Sequence, residues 1–178
     1  AVQSGNAHCA LVISPEMCTA HLNFRDRDSH FIFGDACTAI LIQNAENCEE
    51  NIGFTVLDTQ LQTQFSNNIR NNFGFLNRTE TQNRTSNDVL FVQNGRAVFK
   101  DVVPLVAHLL KNMMSKNHIA PHQIKRLWLH QANLKMNQLI AQRVLGHEPT
   151  NEQAPIILDE YANTSSAGCV IAFHHHHH

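Results

Sequence analysis

The first third of the chain carries its apolar residues in short runs. Cys9 to Ser14 (CALVIS) is a β-type run ended by Pro15. His30 to Gln43 (HFIFGDACTAILIQ) holds two apolar runs around Gly34-Asp35 and predicts a buried hairpin or a bulged strand pair. Ile52 to Leu61 alternates in part and is a further strand candidate. Residues 62–87 are rich in Asn, Thr, Gln and Arg without a clear period, which predicts a long surface excursion.

From Asp88 the period changes. Val98, Val102, Leu105, Leu109 and Met113 recur at helical spacing, so 88–116 is expected to be one long helix. Pro104 lies inside it and should kink it or mark its start. Ile124 to His130 is a short strand candidate. The next stretch places Met136, Leu139, Ile140 and Val144 on one helical face, with Gly146 as the stop. Ala154 to Tyr161 (APIILDEY) is another strand candidate. NTSSAG then opens a last helix, with Asn163, Thr164 or Ser165 able to cap it. Strand, hairpin, excursion, helix, strand, helix, strand and helix make an α/β layout, with helices on at least one face of a sheet.

Composition narrows the classes. The chain has 178 residues, 43% hydrophobic and 16% charged, so a packed core is possible. Its net charge of −2 excludes a strongly basic nucleic-acid binder but allows a local basic patch. No apolar run approaches the roughly 18–20 residues of a membrane span. Five of the 13 histidines, His174 to His178, form a run that reads as a purification tag. The opening, AVQSGNAHCALVIS, looks like a helix end, a glycine turn and a strand, and CVIAF runs straight into the histidines. A piece of a larger protein is expected. None of Cys9, Cys18, Cys37, Cys48 and Cys169 forms a CxxC pair, so no zinc or redox motif is supported and reduced, buried thiols are expected. The sequons at Asn77 and Asn83 are taken as chance matches.

Two positions carry candidate chemistry. His130, in WLHQAN, and Asn163, in DEYANTSSAG, each stand between a strand candidate and a helix candidate. In open α/β sheets that edge collects ligands. A nearby helix N-terminus would disfavour the imidazolium and keep His130 neutral. A neutral imidazole and a carboxamide could both donate to a carbonyl oxygen that gains negative charge. From spacing alone, a structural histidine and a plain helix cap fit these positions too.

His130-Gln131-Ala132-Asn133 followed by Tyr161-Ala162-Asn163-Thr164-Ser165 resembles the C-terminal half of the β-ketoacyl-acyl-carrier-protein synthase III family. The FGDA segment (Phe33 to Ala36) and NGRAVFK (Asn94 to Lys100) extend the resemblance over nearly all of residues 1–173. It implies the thiolase-like layered α/β fold, here incomplete. Residues 1–61 would end the N-terminal half, 62–87 form a polar excursion, and 88–173 make a truncated C-terminal half before the tag at 174–178.

The resemblance also implies a Cys-His-Asn catalytic set, with His130 and Asn163 as second and third members. The nucleophilic cysteine would lie upstream of Ala1, leaving this segment alone inactive. The reaction implied is a decarboxylating condensation of an acyl thioester with a malonyl thioester, with CoA or phosphopantetheine thioesters as substrates and no metal or redox cofactor. Asn133 and Phe99 are the substrate-binding candidates. Lys135 and Arg143, with Arg96 and Lys100, would dock an acidic acyl carrier protein. A cytoplasmic homodimer in fatty-acid biosynthesis, binding neither nucleic acid nor membrane, is expected. A related thiolase-fold acyltransferase of secondary metabolism and a non-catalytic remnant are the alternatives. Two positions depart from the family's glycines: Ala36 after the Asp of FGDA, and Ala162 before Asn163. Either methyl group could reshape the acyl pocket.

Overall fold

The computed structural model describes residues 1–47, 53–71 and 89–178. The chain opens as expected for a helix end. Asn6 N–H donates to the Ala1 carbonyl and Gly5 N–H to that of Val2, with Gly5 at φ 77°. That paired bonding with a left-handed glycine is how helices commonly terminate. Strand β1 (Cys9–Met17) follows, then a 3₁₀ turn at Cys18–His21.

Strand β2 (Asp35–Gln43) pairs antiparallel with β1 over its whole length, from Cys9 opposite Gln43 to Met17 opposite Asp35. The hairpin expected within His30–Gln43 is therefore absent. Its second run is one strand whose partner is β1, and Phe31 to Gly34 lead into it. Asp35 fixes the corner, accepting from Thr19 N–H (2.8 Å) and from the Thr19 hydroxyl.

Residues 53–61 are not a strand. Their anchor is Asp58, which meets Lys116 at 3.0 Å and accepts from Asn117 Nδ2 at 2.9 Å. Most of the polar excursion, both sequons and Cys48 lie outside the described residues. Its described part holds β3 (Ile69–Arg70), paired antiparallel with β4 (Val92–Gln93).

Helix α1 (Gly95–Lys116) starts later than expected because Asn94 caps it, its Oδ1 accepting from Ala97 N–H at 3.2 Å. It runs through Pro104. The missing N–H orphans the Lys100 carbonyl on a side where both residues are exposed, and water can serve it there. The packed face overlaps the expected stripe in part. Val98 and Val102 of that stripe pack on the core, but the buried residues are Val103, Ala107 and Met114, with Phe99, Val106 and Leu110 beside them. That face meets Met136, Ile140 and Val144 of α2 (Leu134–Leu145), the face expected for α2. Gly146 closes α2 at φ 82°, as expected.

Ile124 to His130 is extended but joins no ladder among the described residues; Leu127 N–H donates to the Gln153 carbonyl at 2.7 Å. Ala154 to Tyr161 is also not a strand. It is irregular up to Ile157, whose ψ is 12°, and then turns into α3 (Leu158–Tyr161). Helix α4 (Ala167–His176) takes in His174 to His176, so part of the histidine run set aside as a tag forms its last turn.

Two cores result. One lies between α1 and α2. The second is built from Ile157, Ala167, Ile171 and Ala172, with Ala36 of β2 and Trp128 packed on it. Next to it Phe173 meets Trp128 and Phe54 edge-on, at centroid separations of 4.9 and 5.1 Å. No helix among the described residues is long and apolar enough to cross a membrane.

Candidate active site

Gln131 builds the frame of the site. It is completely buried. Its Nε2 donates to the carbonyls of Leu129 (3.0 Å) and Pro155 (3.2 Å), and its Oε1 accepts from Ile157 N–H (3.2 Å). One side-chain amide thus fastens the segment ending in His130 to the segment leading to Asn163, where no ladder does so. Gly168 of α4 fits over it; a Cβ there would come within 3.0 Å of the Gln131 Cβ.

Asn163 is held by its backbone. Its N–H donates to the Ile32 carbonyl (2.9 Å), and its carbonyl accepts from Gly34 N–H (3.1 Å), making a parallel bridge beside Phe33. Gly34 is needed here because a Cβ would collide with the Tyr161 carbonyl oxygen. Ala162 sits at φ 56°, ψ −157°. A glycine, which the motif resemblance leads one to expect here, would suit that backbone conformation, and the alanine methyl strains the turn. Ala36 differs: it lies in β2 with its methyl against the α4 core.

The expected cap of α4 is not formed by Asn163, Thr164 or Ser165. Ser166 is the N-cap residue and makes no cap bond with its own side chain. The Asn163 side chain instead closes a local turn, its Oδ1 accepting from Ser165 N–H at 2.9 Å. With its oxygen so occupied, the buried carboxamide offers its Nδ2 hydrogens as donors.

His130 lies within reach of the same turn, since the Ser165 backbone acts on its ring and raises its pKa against the effect of burial. The residue keeps exposed surface, but enough protein surrounds the ring that desolvation is the leading effect. Burial lowers its pKa below the ordinary histidine value, while the Ser165 backbone and the Glu16 charge pull upward. A ring held below the ordinary histidine value favours its neutral form at pH 7. Helix α2 begins four residues later, at Leu134.

The remaining candidates have partners of their own. Asn133 caps α2, its Oδ1 accepting from Met136 N–H at 3.0 Å. Phe99 packs into the α1–α2 core. Lys135, Arg143, Arg96 and Lys100 are exposed on α2 and α1. A cavity of about 340 Å³ between Val56, Leu110, Met113 and Leu127 contains none of the site residues. Cys9 and Cys37 are exposed rather than buried, because they lie on the open faces of β1 and β2. Cys18 is half-buried, and desolvation, with Glu16 and Asp35 nearby, raises its pKa above the ordinary thiol value. It is the reverse of an activated thiolate. Among the described residues no cluster of His, Cys, Asp and Glu could hold a metal ion.

Two family models match the sequence. The model described as 3-oxoacyl-[acyl-carrier-protein] synthase III matches residues 1–64, and that of the synthase III C-terminal region matches residues 114–178, together most of the chain. The chain belongs to the 3-oxoacyl-[acyl-carrier-protein] synthase III family. A beta-ketodecanoyl-[acyl-carrier-protein] synthase of Pseudomonas aeruginosa is 56% identical over 176 residues, covering 99% of this chain and 50% of that protein. A beta-ketoacyl-[acyl-carrier-protein] synthase III of Ehrlichia ruminantium is 26% identical over 171 residues, covering 96% and 50%. The chain spans about half the length of these synthase III relatives. The solved 3-oxoacyl-(acyl carrier protein) synthase III of Pseudomonas aeruginosa PAO1 superposes with a TM-score of 0.78 at 20% identity, covering 98% of this chain and 50% of that one. The Thermus thermophilus synthase III gives a TM-score of 0.75 at 24% identity, covering 98% and 51%. The α/β fold is thus that of the synthase III enzymes, the thiolase-like architecture the motifs implied.

The sequence analysis did not single out Glu16, and it gave Gly34 and Ser165 no such part. Glu16 carries no local signal: it follows the Pro15 that ends the apolar run, and its partner Ser166 lies 150 residues away. The roles of Gly34 and Ser165 are carried by backbone atoms.

Proposed function

We propose that the intact protein is a 3-oxoacyl-[acyl-carrier-protein] synthase that condenses an acyl thioester with a malonyl thioester and releases CO2. One observation supports this reading: Asn163 Oδ1 is already engaged by Ser165 N–H, which leaves its Nδ2 to donate, on the same turn whose backbone acts on the His130 ring. A cysteine outside this segment forms the acyl-enzyme. Decarboxylation of the malonyl group leaves an enolate, whose oxygen receives hydrogen bonds from Asn163 Nδ2 and the His130 ring. The enolate carbon attacks the acyl-enzyme carbonyl and expels the cysteine thiolate. Asn133 and Phe99 border the substrate, and Lys135, Arg143, Arg96 and Lys100 meet the acidic carrier protein. The enzyme works as a cytoplasmic homodimer in fatty-acid synthesis. The name of the relative at 56% identity supports a β-ketodecanoyl product and hence an octanoyl primer.

The test uses the full-length protein, with octanoyl-CoA or acetyl-CoA and malonyl-acyl carrier protein, measuring CO2 release and product. Asn163→Ala and His130→Ala should each lower kcat by about 10²–10³-fold, the usual cost of one oxyanion donor. Near-normal condensation in either variant would overturn the reading. The 178-residue chain alone should form no acyl adduct by intact mass.

A further inference from the structure

The turn carrying Asn163 and Ser165 leads straight into α4, whose cap residue supplies no capping side chain of its own. The cap comes from 150 residues away. Glu16, in β1, accepts from Ser166 N–H at 3.1 Å through Oε1 and takes the Ser166 hydroxyl on the same oxygen. Its Oε2 accepts from the Cys18 thiol at 3.9 Å. These bonds, with Ser166 foremost, hold the Glu16 carboxyl below the usual carboxylate range, so it is charged at neutral pH. A carboxylate at a helix N-terminus suits the dipole.

Glu16 lies opposite Ala36 in the β1–β2 ladder, so a rigid strand pair presents it. The Asn163 turn is then gripped on two sides. Gly34 and Ile32 hold it by backbone bonds before the turn, and Glu16 holds it after the turn. The charged and titratable groups around the turn are Glu16 in β1, Cys18 after it, Asp35 at the start of β2, Tyr161 before the turn, and Cys169 of α4, whose thiol donates to the Ser166 carbonyl at 3.5 Å. Asp35 is occupied by Thr19. Of these, only Glu16 acts on His130.

We propose that Glu16 is a positioning residue of the catalytic site: by capping α4 from β1 it fixes the Asn163–Ser166 turn against His130. The inference rests on the function proposed above. Small displacements of a catalytic group cost large factors in rate. Glutamine keeps an oxygen that Ser166 can donate to, so it preserves the cap and removes only the charge.

The experiment compares Glu16→Ala, Glu16→Gln, His130→Ala and Asn163→Ala in the full-length protein, with kcat, KM and the pH profile of kcat. Glu16→Ala should lower kcat at least 10-fold with KM within about twofold. Glu16→Gln should recover most of that loss, and its acidic limb should move to lower pH, because the imidazolium loses a nearby negative charge. If Glu16→Ala keeps kcat within twofold while His130→Ala and Asn163→Ala abolish it, the positioning role is wrong and the synthase function stands. If the latter two remain active, the function itself falls. Should Glu16→Ala not fold, Glu16→Asp, which keeps the charge but is one methylene too short to hold Ser166, decides alone: a kcat within twofold of the unsubstituted enzyme overturns the proposal.

Discussion

Ala162 occupies φ 56°, ψ −157°, a region that glycine alone enters without cost. Such strain is worth about 1–3 kcal/mol. Replacing it with glycine relieves the clash of the methyl group but adds freedom to the unfolded chain, about 0.4–1 kcal/mol. Ala162→Gly should therefore stabilise the intact protein by about 1 kcal/mol, seen as a rise of about 2–4 °C in melting temperature. Gly34→Ala should act oppositely. Its methyl group would be driven into the Tyr161 carbonyl, pushing apart the bridge that seats Asn163. A loss of about 1–3 kcal/mol is expected from overpacking of this kind. Condensing activity should fall with it, and an unchanged melting curve for Gly34→Ala would contradict the packing described.

Helices and strands differed in how openly the sequence declared them. Helix α2 is written locally: Asn133 caps it, Met136, Ile140 and Val144 mark its buried side, and Gly146 ends it. Helix α1 shows the same with less fidelity, because apolar residues surround so much of it: Val98 and Val102 of the expected stripe pack on the core, but the centre of the buried arc is Val103 and Ala107. A strand depends on its neighbours. The apolar, β-branched run Ile156-Ile157 reads as strand, yet its segment is fastened by the Gln131 side chain and then coils into α3. His130 and Asn163 were legible because two short motifs carry them. Glu16 was not, since its partner Ser166 is far away in sequence. At this scale Pro104 offers a test. It is exposed in mid-helix, where proline costs up to about 3 kcal/mol relative to alanine. Pro104→Ala should raise denaturant stability by about 1–3 kcal/mol and leave kcat unaltered. A loss of stability would mean that the ring packs usefully.

Across the whole molecule, acid acts in two stages. The carboxyls of Glu16, Asp35, Asp58 and Asp26 are all held below the usual range. Hydrogen bonds from Ser166, Thr19 and Asn117 side chains and from the Asp28 backbone, respectively, lead the effect. Their contribution is complete above the unfolded values near pH 4 and disappears as pH falls through the lower folded ones. His130 is lowered from 6.5, so the fold prefers its neutral ring. That preference is satisfied above pH 6.5 and lost as pH drops through the folded value. Melting temperature should thus decline from about pH 6.5 and again below about pH 4. His130→Gln should remove the first decline; an increase in stability between pH 6.5 and 5 would contradict the environment described for the ring.

The chain contains a single tryptophan, and it stands edge-on to Phe173 of α4 on the very segment that ends in His130. Its emission is consequently an intrinsic optical gauge: whenever the last helix lifts from its seat, the indole meets water, and the spectrum registers it without any attached label.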